Sequence, residues 1–266
     1  MSSFQPTPQP TPFADVNVFL ARLLAEVRSA LGERLTAMYL RGSLASGDFD
    51  PESSDIDVLV VTEGALGDDA VVALAAMHAR LAASGLAWAP HLECSYWPRD
   101  AVRRYDPTRA RYPELGVDKP FDLRQHGVDC VIELHIVREH GVALAGPPPA
   151  ELIDPVTPEE LRAAVRSLLD GWWTDMLDQP EWFRDRRYQA FAVLSMCRAL
   201  YTLQRGAVVS KPAAAAWART ALADQWVPLI DRALAWRHDS MEGDPTAALS
   251  FVRFAIERSK RAALFG

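Results

Sequence analysis

Apolar residues recur at helical spacing over residues 14–33, at Val18, Leu20, Leu23, Leu24, Val27 and Leu31, and predict a helix. A compact apolar run from Leu35 to Leu40 follows and predicts a buried strand, broken by Gly42-Ser43. Ile56 to Val61, rich in β-branched residues, predicts a second strand. Residues 68–83 read as a helix with Gly85 as its stop. His91 to Trp97 reads as a third strand closed by Pro98, and Val128 to Val137 as a further one. Residues 99–127, irregular and rich in Arg, Asp and Pro, predict a long loop with some local structure, a candidate for substrate contact.

The pattern changes at residues 146–160, where Pro147, Pro148, Pro149, Pro155 and Pro158 mark a boundary. Beyond it strand signals vanish. Helices are predicted over 157–178, 183–205, 211–223, 225–238 and 245–263. The expected fold class is α+β: an α/β domain over 14–150, then an all-α helical bundle over 151–266. Residues 1–13, with Pro6, Pro8, Pro10 and Pro12 two apart, are expected to be a disordered tail.

Composition narrows the partners. The net charge of −7 argues against a chain that lives by contacts to nucleic-acid phosphates. No apolar run reaches the roughly 18 residues of a membrane span. Met1 to Pro12 has neither the basic start nor the apolar centre of a signal peptide. The three cysteines, Cys94, Cys130 and Cys197, form no CxxC and support neither a disulfide frame nor a zinc site. The expectation is a cytoplasmic monomer with neither a nucleic-acid nor a membrane partner.

The chemistry concentrates between Arg41 and Asp57. A Gly-Ser pair ends one strand, and an Asp-x-Asp opens the next. Residues i and i+2 of a strand share a face, so Asp55 and Asp57 present two carboxylates side by side. Such a pair needs a cation, or one member must protonate, and an all-oxygen donor set suits Mg²⁺ bridging to phosphate oxygens. Gly42 permits a sharp turn and a close approach, and the amides of Gly42 and Ser43 with the Ser43 hydroxyl can hold a phosphate. Glu93 is the third candidate: on a strand beside the Asp-x-Asp strand it could ligate metal or take a proton from an acceptor hydroxyl. His91-Leu-Glu93 lacks the Pro-Cys-x-x-Cys of zinc deaminases, and neither GxGxxG nor a Walker A motif occurs.

These residues resemble the nucleotidyltransferase superfamily of polymerase-β-like fold. Arg138-Glu-His-Gly-Val-Ala-Leu-Ala-Gly-Pro147 with Asp154-Pro-Val is similar to the domain junction of the streptomycin/spectinomycin adenylyltransferases. Leu194 to Thr202 and Ser210-Lys-Pro-Ala-Ala-Ala-Ala-Trp217 resemble that family's helical domain, and the likeness covers roughly 15–260. It implies an N-terminal polymerase-β-like nucleotidyltransferase domain that moves AMP from Mg-ATP onto a hydroxyl of streptomycin or spectinomycin, releasing pyrophosphate. Asp55, Asp57 and Glu93 would be the acidic, metal-binding triad, with Glu93 as general base. Gly42, Ser43 and Ser54 would line the phosphates, Arg198 and Lys211 would reach the triphosphate, and Trp236 falls near the adenine-stacking position. Ser210 is placed to cap a helix whose first turn holds Lys211 and Pro212.

The chain also departs from the family. Where the antibiotic enzymes place acidic residues at the start of the helix carrying Arg198, this chain reads Arg184-Asp-Arg-Arg-Tyr-Gln189. The family's drug-contacting tryptophan has no counterpart in 99–127. A polycationic acceptor would meet Arg184, Arg186 and Arg187 unfavourably if they face the cleft. Two alternatives follow: an adenylyltransferase acting on another metabolite or on a protein, and a nucleotide-binding module without turnover.

Overall fold

The structure, a computed structural model, describes residues 9–117, 119–237 and 241–263. Residues 1–8 of the expected tail, and His238 at the end of a predicted helix, lie outside the described residues. Residues 9–13 are held in place instead of trailing. Thr11 is buried and donates to Asn17 Oδ1 at 2.7 Å, and the Phe13 ring meets Phe49 edge-on at 4.9 Å.

The chain divides into two compact units. The first takes the chain through Phe49, Asp55–His126 and Ile136–Asp154. The second takes Asp50–Ser54, Gly127–His135 and everything from Pro155 on. The fold is α+β, with the sheet in the first unit and helices in the second.

The first unit holds α1 (Ala14–Leu31), β1 (Leu35–Arg41), α2 (Gly42–Ser46), β2 (Ile56–Thr62), α3 (Asp68–Ala82), β3 (Leu92–Pro98), α4 (Arg99–Arg103), β4 (Arg111–Gly116), β5 (Lys119–Gln125), the end of α5 (Asp129–His140), β6 (Val142–Ala145) and α6 (Pro149–Leu152). The six strands form one mixed sheet in the order β5-β4-β3-β2-β1-β6. Only β2 and β3 run parallel, joined by the crossover through α3; the other neighbours are antiparallel. Strict alternation splits the strands. Met38, Leu40, Ile56, Val58, Val60, Leu92, Cys94 and Tyr96 join Phe19, Leu20 and Leu23 of α1 and Leu74 and Met77 of α3 in one core. Burying side chains of this size contributes about 1.5–3 kcal/mol each relative to leaving them exposed. The residues between them face the other way, and they carry the charges.

Two expectations fail here. Val128 to Val137 is not a strand but most of α5. Ile132, Leu134 and Ile136 mimic the two-residue alternation, yet the most deeply buried positions, Cys130, Leu134 and Val137, keep helical spacing. Residues 99–127 hold more order than a loop with some local structure: they form α4 and the β4–β5 hairpin. Pro113 and Pro120, with an outer strand that is largely exposed, hide that hairpin from a hydrophobicity reading.

The second unit holds α7 (Pro158–Leu168), which runs through a π-turn at Leu169–Trp173 into α8 (Thr174–Met176), then α9 (Arg186–Arg205), α10 (Lys211–Ala221), α11 (Val227–Leu234) and α12 (Thr246–Ala263). Thr157 and Glu160 start α7 with a reciprocal capping box, and Pro158 sits in its first turn. Asp185 caps α9 and Gly206, at φ 65°, ends it. α9 is the central helix, packed against α7, α10, α11 and α12. Its buried positions Ala190, Val193, Met196, Cys197 and Leu200 keep the helical period. Among the described residues, no helix is long and apolar enough to cross a membrane.

Candidate active site

The open face of the sheet builds the site. Arg41 pairs with Asp57 across β1 and β2, and Asp57 pairs with Glu93 across β2 and β3. Directly opposed residues on neighbouring strands point to the same side. Arg41, Asp57 and Glu93 therefore stand in one row, at the end of β1 and the starts of β2 and β3. The next row holds Tyr39, Leu59, Ser95 and Glu114 by the same registers. Asp57 and Glu93 are half-buried.

The chain turns sharply where β1 gives way to α2. Gly42 sits at φ 66°, in the left-handed region that favours glycine. A β-carbon there would overlap the Asp57 carboxylate, so that carboxylate lies directly against the Gly42 backbone. Ser43 follows in the first turn of α2.

Asp55 is half-buried just before β2, with its Oδ1 3.4 Å from Nδ1 of His91. His91 ends a short 3₁₀ turn, Ala89–His91, and is not the first residue of β3 as its sequence suggested. Its ring meets Trp88 edge-on at 5.8 Å, and the Trp88 indole donates to Asp15 at 2.8 Å. That bond holds the Asp15 carboxyl below the usual range.

The structure thus sets Asp57 beside Glu93 and holds Asp55 on His91. Among the described residues, three His, Cys, Asp or Glu side chains do not close round a common point. Mg²⁺ commonly takes only one or two carboxylates and completes its shell with water and phosphate oxygens. The oxygen-only pair of Asp57 and Glu93 fits that habit.

Four polar residues joined to this face had no role in the sequence reading. Arg41 donates through Nη2 to Ser95 Oγ at 3.5 Å, and Ser95 is buried. Glu114 opposes Ser95 from β4, and its Oε2 lies 3.4 Å from Nδ1 of His126. Burial chiefly pushes the neighbouring Cys94 thiol up to about 12; Tyr96 and Arg41 pull the other way and Glu114 adds to the rise. Two-residue alternation along β1 was the signal that could have found Arg41. Glu114 was hidden inside the presumed loop.

The remaining candidates lie in the second unit. Ser54 belongs to the Asp50–Ser54 loop, where its hydroxyl accepts from the Asp50 amide at 3.1 Å. Arg237 grips the same loop, with Nη2 3.2 Å from Asp50 and Nε 3.8 Å from Glu52. Arg198 lies half-buried along α9. Lys211 opens α10, which Ser210 caps by accepting from the Ala213 amide at 3.3 Å; the Lys211 ammonium rests 4.7 Å from the centre of the Phe191 ring. Trp236 is half-buried just after α11, and its carbonyl accepts from Arg237 at 2.7 Å.

A row of carboxylates beside a tight glycine turn can hold a cation against phosphate oxygens and take a proton. Comparisons with known proteins bear on the family. Residues 20–92 match the nucleotidyltransferase domain model, and residues 151–258 match the C-terminal domain model of the aminoglycoside adenylyltransferases. Aminoglycoside (3'')(9) adenylyltransferases of Shigella flexneri and Escherichia coli are each 30% identical over 229 residues, covering 82% of this chain and 83% of their own. One from Rhizobium radiobacter is 33% identical over 138 residues, covering 50% of this chain and 49% of its own. In shape the chain is similar to the spectinomycin adenyltransferase of Enterococcus faecialis, solved with ATP and spectinomycin. The TM-score is 0.70 at 16% identity, covering 91% of this chain and 98% of that one. At such identity over most of both lengths, the chain is an enzyme of the streptomycin/spectinomycin adenylyltransferase family, within the polymerase-β-like nucleotidyltransferases.

Proposed function

We propose that this enzyme transfers AMP from ATP to a hydroxyl of an aminoglycoside-type antibiotic, streptomycin or spectinomycin, and releases pyrophosphate. The observation that carries the reading is the register pairing of Asp57 with Glu93 beside the Gly42 turn. The relatives are aminoglycoside (3'')(9) adenylyltransferases, and the solved neighbour holds ATP with spectinomycin, which supports both substrates.

In this reading the Gly42 and Ser43 amides and the Ser43 hydroxyl receive the terminal phosphates. Asp57 and Glu93 would hold Mg²⁺, with Asp55 completing the acidic set once it leaves His91, and the bound ion would offset charge on the phosphates. Glu93 takes the proton from the acceptor hydroxyl. The oxygen forms a bond to the α-phosphorus as the bond to the β-phosphate oxygen breaks, in line, and the electron pair leaves with pyrophosphate. From the second unit, Ser54, Arg198 and Lys211 are assigned to the triphosphate and Trp236 to the adenine. The enzyme is assigned to the cytoplasm as a monomer.

A second reading keeps the chemistry and changes the acceptor. Arg184 and Arg186 are exposed at the start of α9, and the Asp185 carboxylate there is engaged as the helix cap, accepting from the Arg187 amide at 2.8 Å. That cluster disfavours a polycation and suits a less basic acceptor. Incubation with labelled ATP against streptomycin, spectinomycin, other hydroxylated metabolites and candidate proteins separates the two. Label on either antibiotic supports the first reading; label only elsewhere replaces it with the second; ATP binding without release of pyrophosphate from ATP in the presence of any acceptor removes both.

A further inference from the structure

The carboxylate row has a cation of its own. Arg41 starts on β1, opposite Asp57, yet its guanidinium reaches Ser95 on β3. Neighbouring strands lie about 4.8 Å apart, so a side chain that begins on β1 and ends on β3 must pass over β2. It does so at the level of Asp57 and Leu59, the residues that β2 presents on this face. Leu59 is buried, so the floor beneath the guanidinium is apolar. Asp57, Glu93 and Glu114 stand on this face on three successive strands, beside the path that Arg41 takes to Ser95.

Two carboxylates side by side over an apolar floor repel each other more strongly than in water. A guanidinium stays charged at any working pH, and its flat fork suits carboxylate oxygens. We propose that Arg41 is the resident counter-cation of this row, a positioning residue that holds Asp57 and Glu93 in place before nucleotide and metal arrive. It is a second occupant of the space a metal ion would neutralise, so Mg²⁺ and Arg41 partly substitute for one another.

The consequence for catalysis rests on the transfer reading above; the consequence for stability does not. The test is a double-mutant cycle read by thermal melting: wild type, Arg41→Met, Asp57→Asn with Glu93→Gln, and all three together, each with and without MgCl₂. Methionine keeps the stem and removes the charge. Arg41→Met lowers the melting temperature in the wild-type background and lowers it less than half as far once both carboxylates are amides. MgCl₂ also restores more to Arg41→Met than it adds to wild type. An equal loss in both backgrounds, with no extra response to MgCl₂, would overturn the proposal, because Arg41 then serves only to pack. Should Arg41→Met fail to fold, Arg41→Lys decides. A folded lysine variant with wild-type response to MgCl₂ supports a role for charge, and a lysine variant that also fails to fold refutes it. A normal cycle in a protein that transfers AMP to nothing would sink the transfer reading and leave this one standing.

Discussion

Asp57 occupies the space that a β-carbon would need at Gly42, so the turn after β1 and the carboxylate that opens β2 are fitted to each other. Gly42 also holds a left-handed φ of 66°. Two separate constraints, one steric and one conformational, therefore fall on the same residue.

Substituting Gly42 with alanine tests this fit. The new methyl group displaces Asp57, and the backbone carries a left-handed strain of about 1–2 kcal/mol. The expected outcome is a modestly less stable protein whose AMP transfer falls by about 100-fold or more, since misplacing a reacting group by about 1 Å has that effect. Melting curves and a pyrophosphate-release assay on the same preparation check it. Transfer at wild-type rate would show that the Asp57 position does not matter.

Lys211 carries a different expectation. Its ammonium rests on the Phe191 ring, a contact of about 0.5–1 kcal/mol at an exposed site, while its proposed partner is the triphosphate. Replacing it with alanine should scarcely move the melting temperature and should raise KM for ATP by about tenfold or more, as loss of a hydrogen bond to a charged group does. A clear loss of stability with KM unchanged assigns Lys211 to the helical core.

His78 makes the fold sensitive to acid. It lies on the buried face of α3, with Nε2 2.8 Å from the Tyr96 hydroxyl, and burial depresses its pKa from 6.5 to about 4. The folded state then binds fewer protons than the unfolded chain between those values. Stability contributed by the neutral ring is complete above pH 6.5 and is lost as the pH falls through the window to about 4. The loss is on the order of 3 kcal/mol. Denaturant midpoints should fall across that range in wild type and fall less in His78→Gln, which cannot titrate. Parallel curves for the two proteins would mean that His78 is already solvated.

Much of this fold was legible because β1, β2 and β3 are short apolar runs bounded by turn residues. The helices after Pro158 keep their period, and Ser210 caps α10 where the sequence places it. Failures came where two periods compete or where a strand is polar. Val131 to Val137 satisfies both alternation and helical spacing, and packing at Cys130, Leu134 and Val137 settles it for the helix. β5 shows little apolar face to read, and β6 is four residues long. At the site, Asp55 and Asp57 read as a pair because they lie two apart in sequence, but β2 starts at Ile56 and Asp55 sits against His91. The pairing of Asp57 with Glu93, and the reach of Arg41 to Ser95, are properties of strand register, which lies in contacts between segments far apart in the chain.

The central claim is that Glu93 and Asp57 act together on a bound nucleotide. The most direct measurement is AMP transfer from labelled ATP to streptomycin and spectinomycin by wild type, Glu93→Gln and Asp57→Asn, with circular dichroism to confirm folding. The account predicts transfer by wild type. It predicts a fall of about 100-fold or more in each variant, the scale of a lost general base, with the fold intact. Folded variants that transfer AMP at the wild-type rate would contradict it.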